Sequence, residues 1–221
     1  MSRSSYIGYK IAFSKVTALG EFAKLLPAIG ALFIGTAAVA EDRSCEISAV
    51  YNGTVSLLRD GAIITDPIGQ LILQGDRFEK TSSAQILIVC SDQGEITIGA
   101  STEVDLGSLI EAPVGERRIF RVLRGISGFV MPAEAAPVDV LTLNAVASVR
   151  STEWTVEVEE GETHVFVREG IVNVAGSGGA SVDLTDGEGV TVMVDGVLGP
   201  VKSWGQGRID AMSARLGNGW R

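Results

Sequence analysis

The sequence predicts an all-β protein, a strand-rich roll, solenoid-like stack or sandwich that ends in a short C-terminal amphipathic helix. Two observations carry the β prediction: apolar and polar residues alternate with a period of two, and turn residues interrupt the alternation about every 8 to 12 positions. The clearest alternation runs from Leu141 to Val174. Breaks at Glu160-Gly161 and Glu169-Gly170 divide it into three short antiparallel strands. The residues expected inward are Val149, Trp154, Val156, Val158, Val165, Val167, Ile171 and Val174, and those between them include Thr155, Glu157, Phe166 and Arg168.

The composition is that of a folded, acidic protein. The chain has 221 residues, 46% of them hydrophobic and 20% charged, and its net charge is −9. Four basic residues and one acid give the first 40 residues a charge of +3, which leaves −12 for the remainder. Because phosphate backbones bind basic surfaces, this balance excludes nucleic acid as a partner.

Residues 1–40 have the three parts of a secretory signal. A basic stretch precedes the apolar run from Leu25 to Ala37, and Ala38-Val39-Ala40 follows as a cleavage site. The sequence therefore predicts cleavage after Ala40 and export to the periplasm or an equivalent compartment. An uncleaved anchor is the alternative and would be the protein's only membrane contact, although the run of roughly 16 apolar residues is shorter than the ~20 of a spanning helix.

Cys45 and Cys90 are the only two cysteines. In an oxidising compartment they predict one disulfide, and two free thiols are the alternative. Together with the single histidine, His164, they are too few for a four-ligand zinc site, and we expect neither a metal nor another cofactor.

The body from residue 41 to residue 202 contains the predicted strands. Its loosest part runs from Gly107 to Pro137 and surrounds one strand near Ile119 to Val130. The expected core of that strand is Phe120, Val122, Leu123, Ile126 and Phe129.

The tail from residue 203 to residue 221 changes to a helical pattern. Its apolar residues fall near one face of a helix, and Gly217 is a plausible C-terminal cap. The apolar positions are Trp204, Ile209, Met212 and Leu216. We expect this helix to pack on the β body, and a docking helix for a partner is the alternative.

Four blocks of the body together resemble the FecR family, periplasmic signal regulators of bacterial envelopes. The blocks are Gly53 to Gly61 with Gly75-Asp76; Ser83 to Ile88 with Asp92, Ile98 and Gly99; Ser101, Val104 and Leu106; and Ala145, Ala147, Val149 to Trp154, Val156, Gly161, Thr163, Val165, Val167, Gly170 and Val172. The similarity covers roughly residues 50–195. Where the family usually has Gly and Phe, this chain has Ser151 and Trp154.

The resemblance implies a module that contacts proteins rather than an enzyme. Classical members control a sigma factor through a cytoplasmic segment, and only 24 residues precede the apolar run here. The function expected is therefore that of an exported, non-catalytic FecR-domain protein that binds a protein partner in cell-envelope signalling. The alternative is a structural or polysaccharide-associated envelope domain, with Trp154, Trp204 and Trp220 as a sugar platform.

The residues expected to hold the central turn or to contact a partner are Arg150, Thr152, Glu153 and Trp154. Trp154 is expected in the core, because it begins an alternating strand. The Arg150 guanidinium can form a planar, two-pronged contact with a carboxylate or with loop carbonyls.

Catalytic and calcium-binding interpretations are the weaker alternatives. His164 with Ser148 or Ser151 lacks the third member of a triad, and the run of acids from Glu153 to Glu162 is more typical of a solvated strand face. Asp183, Asp186 and Glu188 carry oxygen ligands suited to calcium, but their spacing matches no EF-hand loop.

Overall fold

The computed structural model describes residues 44–80, 83–106, 117–149 and 152–220, and for Lys80 and Gly219 it describes the backbone alone. The predicted signal segment, its cleavage site and Arg150 lie outside these ranges. The strands are β1 (Cys45–Tyr51), β2 (Val55–Arg59), β3 (Ala62–Ile64), β4 (Arg77–Lys80), β5 (Gln85–Cys90), β6 (Glu95–Ile98), β7 (Glu103–Asp105), β8 (Arg118–Met131), β9 (Val138–Leu141), β10 (Ala145–Val149), β11 (Thr152–Glu159), β12 (Glu162–Glu169), β13 (Val172–Gly176), β14 (Ser181–Leu184), β15 (Glu188–Val192) and β16 (Lys202–Ser203). One α-helix, α1 (Gln206–Leu216), follows them. Over the described residues, the predicted all-β class with a short C-terminal helix is confirmed.

Most strands belong to one curled sheet in which β8 is the common member. The main order is β14-β13-β10-β9-β8-β11-β12-β15-β16, and β1, β5, β6 and β7 join it on branches through β8. The first half of β8 pairs with β7 and β9, and the second half pairs with β6 and β11. Gly125, with φ of +89°, lies between the two halves. A Cβ at Gly125 would meet the Thr102 side chain and backbone. Glycine is therefore required both by the positive φ and by this close contact.

A separate three-stranded sheet has the order β3-β2-β4. One ion pair fastens it to the turn that precedes β4. The Arg59 side chain donates from Nε to Asp76 Oδ1 at 2.9 Å and from Nη2 to Asp76 Oδ2 at 2.7 Å. Asp76 in turn accepts the backbone N–H of Leu73. Both residues of this pair come from the first block of the FecR resemblance.

The inner face of the curled sheet encloses the main core. Trp154 is fully buried there, and its ring stacks on that of Phe129 with 4.8 Å between the centroids. The predicted inward residues of β11 and β12 are all buried. The expectation that Trp154 lies in the core therefore agrees with its position.

Part of the outer face of β11 and β12 is also buried, because α1 lies on it. Phe166 and Ile126 form a second apolar cluster with the helix residues Met212 and Leu216 and with Trp220. Gly217 ends the helix as expected. The alternation places Phe166 on the outer face, and it lies there, but it is buried because the C-terminal helix covers it.

Two other apolar residues lie where the alternation did not place them. Leu123 is 54% exposed although we expected it in the core of β8. Ile171 is 60% exposed, because it belongs to the turn before β13, whose inward residues are Val172 and Val174.

Cys45 and Cys90 form the predicted disulfide. They lie opposite each other where β1 pairs with β5, and the bond joins positions 45 residues apart. Within the described ranges, no helix is both long and apolar enough to cross a membrane.

Candidate protein-interaction surfaces

The structure does not bring the predicted site residues together as one exposed patch. Trp154 and Thr152 are buried. Glu153 is partly buried, and its Oε1 accepts a hydrogen bond from Arg168 Nη1 at 3.0 Å. Arg150 lies outside the described residues, so its role stays a prediction. Of the three described candidates, only Glu153 reaches the surface.

A recess of about 420 Å³ lies beside Thr152 and Glu153. Three carboxylates line it, from Glu95, Glu153 and Glu169, together with the apolar side chains of Val130 and Met131. This recess is the part of the predicted site that could receive a cationic group of a partner.

A larger groove of about 750 Å³ separates β4 from β7. Its lining mixes both signs of charge with apolar atoms, and the exposed Leu123 lies in it. The lining residues include Arg77, Glu79, Glu103, Asp105 and Arg124.

The strand β14 forms one edge of the curled sheet and pairs, among the described strands, with β13. Gly176 N–H donates to Ala180 O at the start of this ladder. Because bonded and non-bonded pairs alternate in an antiparallel ladder, the N–H and C=O groups of Ser181 and Asp183 point away from β13. Both residues are exposed, so this edge can accept a further strand.

A fourth surface, which we call the tip, consists of the turns 142–144, 159–162, 176–180 and 193–197. It presents four exposed apolar side chains, from Leu143, Met193, Val194 and Val197. This surface was not predicted from the sequence. Large apolar residues at turn positions, where polar residues dominate, are the signal that could have indicated it.

Asn144 ties three of the tip's segments together. The side chain is buried, and its Nδ2 donates to Gly161 O and Val192 O at 3.1 Å each and to Met193 O at 2.6 Å. Its Oδ1 accepts hydrogen bonds from the Thr142 and Thr163 hydroxyls. Both polar groups of the Asn144 side chain are therefore hydrogen-bonded within the protein.

The residues considered for chemistry are engaged in structural contacts. His164 Nδ1 lies 2.9 Å from Thr191 Oγ1, and burial lowers the pKa of His164, as does the nearby charge of Arg208. Asp186 accepts the N–H of Gly170, and Glu188 accepts the N–H and hydroxyl of Thr185. Across the described residues no group of three or more His, Cys, Asp or Glu side chains is placed to hold a metal ion.

The three tryptophans do not form a sugar platform. Trp154 and Trp220 are buried. Trp204 stacks on Phe166 at 4.7 Å between centroids, and the Arg208 guanidinium lies 3.6 Å from the centre of the Trp204 ring. The ring is thus covered by side chains of this chain.

The chain is similar to a known protein family from β4 into β13. A model of the family described as FecR protein matches residues 76–173. The resemblance to the FecR family is confirmed. The matched stretch leaves out Gly53 to Gly61 of the first block, and it includes Asp76 of that block and the disulfide partner Cys90. FecR proteins are regulators in signalling rather than enzymes.

Two crystal structures, each of a proposed anti-sigma factor from Parabacteroides distasonis, are similar to this chain. The first shares 21% identity at a TM-score of 0.47, covering 59% of this chain and 61% of its own. The second shares 23% identity at a TM-score of 0.44, covering 55% and 56%. The chain thus spans about three fifths of the length of these structures or less. No curated protein matches the chain.

Proposed function

We propose that this chain is an exported, non-catalytic FecR-domain protein that binds a protein partner in cell-envelope signalling. The observation that carries the proposal is the FecR match over residues 76–173, because members of this family regulate signalling through protein contacts. The division into a signal peptide (1–40), a FecR-like β domain (41–202) and a helical tail (203–221) belongs to the same proposal.

The disulfide supports export. Structural disulfides persist in oxidising compartments such as the periplasm and are rare in the cytosol. Cys45 follows the predicted cleavage site by only five residues, so the bond would fasten the start of the mature chain to β5.

The edge of β14 supports partner binding by strand addition. An extended partner segment could bond to the outward backbone groups of Ser181 and Asp183, and main-chain bonds of this kind supply affinity in many peptide-binding domains. Asp183 would then favour a basic residue opposite it.

The first test locates the protein. The full chain is produced in a Gram-negative bacterium, and the periplasmic fraction is analysed by intact mass. We expect a species that begins at Glu41 with both thiols blocked to labelling until reduction. A full-length species in the cytosol with two free thiols would contradict export.

The second test examines partner binding in the source cell. A photo-crosslinking amino acid is placed at Ser181 on the β14 edge and, as a matched exposed control, at Asp66 in the loop after β3. We expect a discrete protein adduct from Ser181 and none from Asp66. The same adducts from both positions, or from neither, would count against strand addition at β14.

A further inference from the structure

The tip exposes four large apolar side chains at turn positions, where polar residues are usual. Leu143 is 85% exposed, Val194 63%, Val197 49% and Met193 43%. Isolated exposed apolar residues are ordinary, whereas a contiguous group on one surface marks an interaction site.

These four side chains belong to one surface, because the turns that carry them touch. The amide of Asn144, next to Leu143, donates to Met193 O. Val194 Cγ2 lies 3.5 Å from the Cβ position of Gly161. Gly178 N–H donates to Gly196 O at 3.2 Å, which brings the turn 176–180 against the turn that carries Val197.

The surface is also held in place before any partner arrives. The backbones at Gly176 and Gly196 approach so closely that a Cβ on either residue would overlap its neighbour. The Asn144 network fixes the other side. A preorganised surface loses little conformational entropy on binding, so apolar contacts made there contribute fully to affinity.

The charge of the tip selects the occupant. Its four turns contain Glu159, Glu160, Glu162 and Asp195 and no Lys or Arg. From outside these turns, Arg215 of α1 comes within 4.0 Å of Glu159. Carboxylates around apolar anchors attract a cationic segment, oppose an anionic lipid surface and oppose a second copy of the same acidic tip.

We propose that the tip docks a protein segment that combines Lys or Arg with large apolar side chains. The proposal rests on the proposed function as a protein-binding module, but it uses a different surface from the β14 edge. The apolar side chains of the partner would pack on Leu143 and Val194, while its cations would lie against Glu160 and Asp195.

The test uses the oxidised chain as isolated from the envelope of producing cells, observed by backbone amide NMR. The probes are short synthetic peptides of Leu and Lys, of Leu and Glu, and of Ser and Lys. We expect the Leu/Lys peptide alone to bind, with shifts confined to residues 142–144, 159–162, 176–180 and 193–197. Equal binding of the Leu/Glu peptide, or shifts elsewhere, would overturn the proposal.

Matched variants distinguish binding at the tip from attraction of the cationic peptide to the acidic protein as a whole. Leu143→Ser and Val194→Ser should each lower the affinity for the Leu/Lys peptide by about tenfold, the loss expected at the centre of an interface. Ile171→Ser removes an apolar residue about as exposed as Val194, in the turn after β12 at the end away from the tip, and should leave the affinity unchanged. Glu160→Gln should weaken binding and reduce its salt dependence. Equal losses in all variants would overturn the assignment to the tip.

Two further outcomes would assign the tip to another occupant. Binding to phosphatidylglycerol or phosphatidylcholine vesicles that Leu143→Ser abolishes would make it a membrane contact. Concentration-dependent self-association that the same variant abolishes would make it a contact between copies. Photo-adducts at Ser181 with no peptide binding at the tip would refute this inference and leave the proposed function standing.

Discussion

Arg118 and Asp92 form an ion pair at the point where β8 begins. Arg118 Nη2 lies 2.7 Å from Asp92 Oδ2, and Arg118 is only 1% exposed. The Asp92 carboxylate, in the turn between β5 and β6, also accepts the N–H of Ala136 at 2.9 Å. Burial acts to raise the pKa of Asp92, but the hydrogen bond from Ala136 and the charge of Arg118 outweigh it and lower the pKa. One carboxylate thus joins three segments of the chain.

Removing one member of this pair should be costly. Arg118→Met leaves a partly buried carboxylate without its cation, and we expect a loss of about 3–5 kcal/mol in the free energy of unfolding. Urea unfolding measures it. Arg117→Ala is the control, because Arg117 pairs with Asp139 at the surface and should cost less than about 1 kcal/mol. Similar losses for both variants would show that Arg118 contributes no more than a surface charge.

Trp154 should be a major contributor to stability. Its ring is fully buried against Phe129, so Trp154→Ala should lower the free energy of unfolding by about 3–5 kcal/mol. Ile171→Ala, at an exposed apolar position, should change it by less than about 0.5 kcal/mol. A loss below about 1 kcal/mol for Trp154→Ala would be inconsistent with a core position for the ring.

The disulfide should stabilise the fold by restricting the unfolded chain. Closing a loop across 45 residues predicts about 4 kcal/mol by loop-closure entropy. The double variant Cys45→Ser/Cys90→Ser should therefore unfold at lower urea concentration. Dithiothreitol should reproduce that shift in the natural protein and have no effect on the double variant. An unchanged midpoint in the double variant would refute the stabilising role.

His164 should make stability depend on pH. Its pKa is lowered in the folded state by burial and by Arg208, despite the opposing charges of Glu162 and Glu159. Below about pH 6.5, the ordinary value for histidine, the unfolded chain binds a proton that the folded chain does not. Stability should therefore fall as the pH drops through this value towards the lower pKa of the folded state.

Because His164 is the only histidine, the variant His164→Gln isolates its contribution. Urea unfolding at about pH 7.5 and about pH 5.5 should show a smaller difference in the variant than in the natural protein. Equal differences would assign the pH dependence to other groups.

Arg150→Lys tests the role predicted for Arg150, which the described residues leave open. Lysine keeps the charge but loses the planar guanidinium. If Arg150 clamps the turn before β11, the variant should melt several degrees lower with no partner present, as measured by circular dichroism. An unchanged melting temperature with loss of partner binding would make Arg150 a recognition residue.

The sequence by itself determined the strands and most of the inner core. A period of two can bury only one face against a given core, so Trp154, Val156 and Val165 had to lie on the same side. The spacing of Met212 and Leu216 likewise determined the apolar face of α1. Two cysteines allow a single intramolecular pairing.

Only the tertiary structure decided what covers the outer face of β11 and β12 and how the turns of the tip assemble. Phe166 is buried because α1 returns from the end of the chain to lie on it, which no local pattern records. Leu123 is exposed because it follows the inward Val122 at the irregularity in the pairing of β7 with β8. Asn144 reaches Met193 across 49 residues of sequence, so the tip exists only once four distant turns have met. Alternation and spacing act between near neighbours along the chain, whereas these contacts depend on the order in which strands pair.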